Sequence, residues 1–486
     1  MELKMSKQRG NIIFVSFIIL AVVLNMITNK NSIIVDIYAL LYGILILKIF
    51  KGDSFKDKIY FLTLLFAILS FSFLIKIKGR YDIYFYYISM LIYFFIMVKN
   101  YKDYNIKGII KNKYFIFLFG FIVYIMISVL WSMNKGLAIK SIINYLIMIC
   151  LLIVVIDYNS KSQNITKTIK YIYYMVIGII PIGLIEMTGN RFNIRNHYID
   201  ENLYRLYPWF LKKIPTTFFY SPNDYGVFIV FAMVFLLIAL VYTNSKKEKY
   251  IFGLVYLLLN LNLIFTTSRT AWISLFLVYV FILVLFLIYK RYGNLKKILF
   301  IGILTFVVFY TLSLIPVLGP FYGKFRGIAM PEYGETGSTN VRYTLIMNII
   351  DGVIIKGNFL GFGVGNTSSY LKIINNTNGI TNAHSLWFEI LGDFGLPIFI
   401  AFGLIYLALM YDLFKVSLKK NLSKNYALSL LVCFFGFIFL SFAPSSVISF
   451  TPFWLLMGLG VSTIVNVKEN KNENIDICKL VPKQKR

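Results

Sequence analysis

The sequence predicts an all-α polytopic membrane protein, and three observations carry that prediction: an apolar composition, a succession of apolar windows long enough to cross a bilayer, and a lopsided distribution of basic residues. Hydrophobic residues make up 59% of the 486 positions and charged residues only 14%, with a mean hydropathy of +0.74, far from the balance of a soluble chain. An aromatic content of 18% suits lipid-facing rings and interfacial belts. A net charge of +28 would point to nucleic acid only if the basic residues shared one soluble face. They sit instead in loops between apolar runs, so no nucleic-acid partner is expected. The cysteines, Cys150, Cys433 and Cys478, have no metal or disulfide spacing.

Taken in order, apolar windows fall at about 11–27, 32–50, 59–75, 81–98, 114–131, 139–156, 171–187, 225–242, 250–265, 271–289, 298–315, 385–411, 426–442 and 448–467, each near the length that roughly 30 Å of hydrocarbon requires. Lys4, Lys7 and Arg9 precede the first window without a small-residue cleavage site, so it reads as a helix and not a signal peptide. With the N-terminus cytoplasmic, the loops on its side and the tail hold 32 of the 49 Lys and Arg residues, while the five short loops opposite hold seven. Cytoplasmic loops retain such an excess. The expected organisation is N-terminal transmembrane helices over 1–187, an extracytoplasmic loop over 188–224, central transmembrane helices over 225–315, a long extracytoplasmic loop over 316–383, C-terminal transmembrane helices over 384–467 and a basic cytoplasmic tail over 468–486. That gives about 12–14 spans.

Four stretches hold nearly all the chemistry on the outer face. The first, 188–224, contains Arg191, Arg195, His197, Arg205 and the run S-P-N-D-Y-G from Ser221 to Gly226. It reads either as a solvated loop closed by a Pro-Asn turn or as a basic surface for an anionic substrate. The second is T-T-S-R-T-A-W, Thr266 to Trp272, where Arg269 stands in a very short outer turn. Ser268 or Thr267 can cap the following helix and make an anion site with Arg269; a plain alternative is an arginine snorkelling to headgroups. In the third, Thr339 to Lys356, Val341, Leu345, Ile349 and Val353 recur at helical spacing with Arg342 in the first turn, which predicts an interfacial amphipathic helix. The glycine-rich turn after it, Asn358 to Asn366, matches no dinucleotide or phosphate-loop pattern and reads as close backbone approach or mobility.

The fourth, Thr381 to Leu396, carries His384, one of only two histidines, together with Glu389 and Asp393. Titratable groups at the mouth of a span call for a reason. Gly392, Gly395 and Pro397 predict a break between a short interfacial helix and a span starting at Leu396. His384 is either an interfacial histidine satisfied by its neighbours or a general base, for which a neutral imidazole is suited.

In their order and spacing, S-P-N-D-Y-G, T-S-R-T-A-W, N-V-R-Y-T-L (Asn340 to Leu345) followed by L-G-F-G-V-G (Leu360 to Gly365), and N-A-H-S-L-W-F-E-I-L-G-D-F-G-L-P (Asn382 to Pro397) resemble the O-antigen ligase and polymerase family of integral membrane enzymes. The resemblance covers roughly Thr216 to Tyr411; where many relatives show His-Asn, this chain has His384-Ser385. It implies a metal-independent, inverting glycosyltransferase of the bacterial cytoplasmic membrane, without cofactor, acting at the extracytoplasmic face on a glycan carried by a polyprenyl diphosphate. His384 then matches the candidate base, and Arg269 and Arg342 match the phosphate-contacting arginines. Arg205, Asn223, Tyr343, Asn382 and Glu389 are the expected substrate contacts. Membrane lipids, chain-length regulators and flippases are the expected partners. A repeat-unit polymerase is the favoured reading and a ligase with a lipid or protein acceptor the alternative. A transporter of lipid-linked oligosaccharide would place ionisable groups near the midplane and show related halves, which this sequence does not.

Overall fold

A computed structural model describes residues 54–70, 73–77, 81–99, 111–189, 213–313, 338–419, 423–446 and 448–469, with isolated positions before residue 54. The windows at 11–27 and 32–50 lie outside the described residues apart from those positions. The other windows each hold a helix: α1 (Phe55–Ile68), α2 (Phe85–Lys99), α3 (Lys113–Ser128), α4 (Lys135–Tyr158), α5 (Ser162–Glu186), α6 (Pro222–Tyr242), α7 (Lys246–Phe265), α8 (Arg269–Ile288) and α9 (Tyr292–Ser313), then, after two helices of the long loop, α10 (Ser338–Ile350) and α11 (Thr367–Ile374), the last three, α12 (Leu386–Leu418), α13 (Ser423–Leu440) and α14 (Thr451–Glu469). Among the described residues eight helices are long and apolar enough to cross a membrane, and Phe85–Lys99, Lys424–Leu440 and Thr451–Asn466 are shorter apolar helices. The chain is an all-α polytopic membrane protein.

One pair of windows departs from expectation. The windows at 59–75 and 81–98 meet in an antiparallel hairpin, β1 (Leu74–Ile77) with β2 (Tyr81–Tyr84), in which Leu74 faces Tyr84. Alternation of apolar and polar residues in L-I-K-I and Y-D-I-Y favours strand over helix there. Helix α1 is consequently short, and it is buried nearly throughout.

Helix starts follow their caps. Ser221 accepts a hydrogen bond from the Asp224 amide, with Pro222 in the first turn of α6, and Ser245 does the same for Glu248 at the start of α7; a hydroxyl at this position satisfies an otherwise orphaned donor. In the packed bundle, α13 lies against α6, α8 and α12, α4 against α14, and α1 against α2. Phe95, Phe119, Phe300 and Leu404 stay exposed, as side chains facing lipid do.

Polar contacts gather at the two ends of the bundle. One end pairs Lys56 with Asp157 at 2.9 Å, Lys167 with Asp57 at 2.9 Å and Lys113 with Asp412 at 2.8 Å, and Asn466 reaches the Ser160 carbonyl. The other end collects the starts of α4, α6, α8, α12 and α14 and the long loop. We call the first the lysine rim and the second the histidine rim.

Candidate active site

The histidine rim is built on close backbone contacts. A side chain on Gly226 of α6 would meet the Ala271 Cβ at 3.1 Å and the Ser268 Cβ at 3.3 Å, so the glycine ending S-P-N-D-Y-G lets the starts of α6 and α8 touch. Tyr225 donates to Asn262 Oδ1 of α7 at 2.9 Å. Glu186, buried at the end of α5, accepts from the Thr216 and Thr217 amides at 2.8 Å each and ties down the chain entering α6.

The long loop has a small core of its own. Val341, Leu345, Ile349 and Val353, the stripe named from the sequence, are buried with Phe362, Leu371, Ala383 and Leu391. Helix α10 therefore lays its apolar face on protein, on α11 and the first turns of α12, and not on lipid. The glycine-rich turn is a joint. Gly395 has non-helical angles, φ 75° and ψ −172°, within α12, which is the break expected there. A side chain on it would stand 2.0 Å from the Phe359 carbonyl oxygen, and one on Gly361 would stand 2.5 Å from the Gly395 nitrogen. Backbone bonds run from Phe362 N to Gly392 O at 2.7 Å and from Leu396 N to Phe359 O at 2.9 Å. Close approach, and not mobility, accounts for these glycines. Asp393 belongs to the same joint, accepting from the Gly365 and Thr367 amides at 2.7 and 2.9 Å and from the Thr367 hydroxyl at 2.6 Å.

Above this joint the expected reaction residues come together. Arg342 in α10 points its Nη1 to within 3.5 Å of the Thr270 hydroxyl in the first turn of α8, beside Arg269. The Arg342 charge also reaches His384. Burial pushes the His384 imidazole down to about 4; the Arg342 guanidinium adds to the shift, and a hydrogen bond to the Pro444 backbone opposes it. His384 holds a left-handed backbone with φ 51°, uncommon for a residue with a side chain. Among the described residues, Ser268 Oγ, His384 Nδ1 and Ser385 Oγ are buried and make no hydrogen bond. Such atoms are costly unless something satisfies them, and three of them lie along one rim with two arginines.

The remaining expectations divide. Ser268 occupies the cap position of α8 by its backbone, but its hydroxyl makes no capping bond, which corrects the expectation of a side-chain cap there. Glu389 is engaged by Ser446, whose hydroxyl donates to it at 2.6 Å. Asn382 is exposed, and Asn223 and Tyr343 are half-buried. Arg205, like Arg191, Arg195 and His197, lies outside the described residues. Sequence reasoning missed Thr270, Ser385, Pro444 and Ser446. The last two belong to S-F-A-P-S-S, a connection without a charged residue, and nothing in it signals contact with a histidine sixty residues earlier.

Residues 252–403 match the family model described as O-Antigen ligase. The chain is also similar to the teichuronic acid biosynthesis protein TuaE of Bacillus subtilis (strain 168), 24% identical over 379 residues that make up 76% of this chain and 73% of the relative. No solved structure matches it.

Proposed function

We propose that this chain, a membrane protein of the O-antigen ligase family and hence of surface-glycan biosynthesis, joins polyprenyl-diphosphate-linked oligosaccharide repeat units at the outer face of the bacterial cytoplasmic membrane. The observation that carries this reading is the meeting of Arg342, the Arg269–Thr270 corner and His384, brought from three separate parts of the chain. Guanidinium groups bind phosphate oxygens in a planar, directional way, and fixed positive charge where a leaving group becomes negative lowers the barrier. A neutral imidazole beside them can take a proton.

In the proposed step an acceptor hydroxyl attacks the anomeric carbon of the donor sugar on the face opposite the phosphate. The hydroxyl proton passes to His384 Nδ1, the carbon–oxygen bond to the diphosphate breaks, and polyprenyl diphosphate leaves with the electron pair. Attack from the opposite face inverts the anomeric centre. Arg269 and Arg342 hold the diphosphate, so the step needs no metal ion. Asn223, Tyr343 and Asn382 line the approach as substrate contacts. The excess of Lys and Arg in the alternate loops supports the outer face for this rim.

The description of the matching family favours a second reading, a ligase that passes the glycan to a lipid or protein acceptor. Both readings use the same three side chains and differ in the acceptor. A transfer assay with purified protein and a synthetic lipid-linked repeat tests them. Chain growth from the lipid-linked repeat alone supports polymerisation, and strict dependence on an added acceptor supports ligation. His384→Ala and Arg342→Ala should each lower turnover by about a hundredfold or more; near-normal turnover in either removes that residue from the step.

A further inference from the structure

We propose that residues 354–360, the turn that follows α10, form a foot by which the long loop rests in the bilayer interface on the side of the histidine rim, with the lipid leaflet as its partner. The placement goes beyond the proposed reaction and does not depend on it.

These seven residues are exposed in succession, and four of them are Ile354, Ile355, Phe359 and Leu360. Ile355 is 75% exposed, and Phe359 and Leu360 are 51% exposed each. Scattered apolar side chains on a surface are ordinary, but four within one short turn make a patch that calls for a partner. The backbone builds the patch. Asp351–Ile355 continues α10 as a π-helical turn, in which Val353 is buried while Ile354 and Ile355 face outward. Gly357, with φ 74°, and Asn358, whose Nδ2 donates to the Gly352 carbonyl at 2.8 Å, then fold the chain back, and Phe359 and Leu360 follow.

What the patch touches fixes its depth. The Phe359 carbonyl accepts from the amide of Leu396, where the span of α12 begins, at 2.9 Å. The Leu360 carbonyl lies 3.4 Å from the hydroxyl of Tyr124, which also donates to the Phe394 carbonyl at 2.9 Å. Tyr124 stands a full turn before the end of α3, so the foot sits at the ends of two spans and not above them. Beneath it α3 and α12 lie side by side, with Phe117 against Phe402 and Phe121 against Phe394 at 6.2 and 5.2 Å between ring centres. Both helices turn apolar side chains outward, Phe119 on α3 and Leu404 on α12. Leu130, 76% exposed just past the end of α3, and Met133 carry that surface toward the foot. An apolar surface that continues from two spans onto a loop meets the same neighbour as the spans, the lipid.

The nearby charges suit that neighbour. Lys135 Nζ donates to the Val129 and Leu130 carbonyls at 2.6 and 2.8 Å, and Lys356 pairs with Asp351 at 2.7 Å. Long basic side chains at an apolar border lay their stems on it and keep their heads among the headgroups. The periodicity of 339–356 assigns membrane contact to α10, but that stripe is buried on protein and the contact passes to the turn after it. Arg342 and Ile355 stand near opposite ends of the rod that α10 makes with its π turn, roughly 20 Å apart at helical rise. The foot therefore sets how far the arginine stands from the headgroups.

Depth-dependent quenching tests the foot. Ile355→Cys and Phe359→Cys are made singly in the full-length chain carrying Cys150→Ala, Cys433→Ala and Cys478→Ala, labelled with nitrobenzoxadiazole and reconstituted into phosphatidylcholine vesicles. Phe119→Cys is the lipid-facing reference and Lys372→Cys, exposed on α11, the reference in water. Lipid spin-labelled at the shallow 5-position should quench the probe at 355 and 359 at least about threefold more than at 372, and iodide present on both faces should show the reverse order. Quenching by iodide at 355 and 359 as strong as at 372 places the patch in water and overturns the proposal. Protection from both quenchers means that protein covers the patch, and overturns it as well. Because the readout is not activity, a foot found in lipid on a protein that transfers no glycan keeps the foot and removes the reaction, and an active protein with its patch in water does the opposite.

Discussion

His384 concentrates three kinds of cost: a left-handed backbone, a depressed affinity for protons and a buried nitrogen with no hydrogen bond among the described residues. Such costs persist where surrounding structure over-determines them, and they cluster at sites with a task. The lowered pKa has a definite sign. The folded protein holds the ring neutral down to about 4, whereas the unfolded chain takes up the proton near the ordinary value of about 6.5. The associated stability is complete above the unfolded value and declines as pH falls from there toward about 4. Activity resting on the neutral ring should therefore persist through that interval, with the acid limb of kcat/KM near the lower value; a limb at the free-imidazole value would show that the ring is solvated in the working enzyme. Of the proposed reaction residues, His384 and Arg269 stand out in the sequence as titratable or charged groups beside an apolar window, and Arg342 as the basic residue in the first turn of an amphipathic stripe. Thr270 and Ser385 do not stand out in the same way, since hydroxyls are everywhere, and only the fold selects the few that lie near an arginine or a histidine.

At the scale of elements, the break in α12 and the glycine-rich turn prove to be one structure. From the sequence, Gly392, Gly395 and Pro397 predict a break, and Asn358 to Asn366 predicts close backbone approach or mobility, but nothing connects the two. Backbone against backbone leaves no side-chain pattern to read. The same limit hides the partner of α10: Val341, Leu345 and Ile349 are buried as the stripe predicts, but against protein where the sequence predicts the membrane surface. Gly395→Ala should prevent or severely weaken folding, by at least about 2 kcal/mol, because it combines a positive φ with contact against the Phe359 carbonyl. Gly403→Ala, eight residues on in the same helix with open space around it, is the matched control and should be neutral or slightly stabilising. Thermal melting of the two variants in detergent distinguishes them, and equal melting temperatures would mean that the joint tolerates a side chain.

Across the whole molecule, the pairs Lys56–Asp157, Lys167–Asp57 and Lys113–Asp412 tie helices together at one rim, whereas the proposed reaction residues and the glycine joint occupy the other. Positive-inside counting predicts that the lysine rim faces the cytoplasm. A membrane-impermeant thiol reagent on intact cells should label Lys372→Cys, exposed on α11, and leave Lys246→Cys, exposed at the start of α7, unlabelled until the membrane is opened; the reverse pattern would put the reaction centre inside. The glycine joint also reaches beyond the long loop. A side chain on Gly363 would strike Ser132, just after α3, and one on Gly365 would strike Ser141 of α4, while Asn366 accepts from the Asn134 amide at 2.7 Å. The stretch that matches the family model, 252–403, contains both halves of the Gly361–Gly395 contact but neither those serines nor Pro444 and Ser446. It is not a portable module: grafted into another bundle it would bring the arginines and the histidine but leave behind the seat that shapes its loop, so specificity in such chimaeras should follow the host's helices as much as the donor's motif.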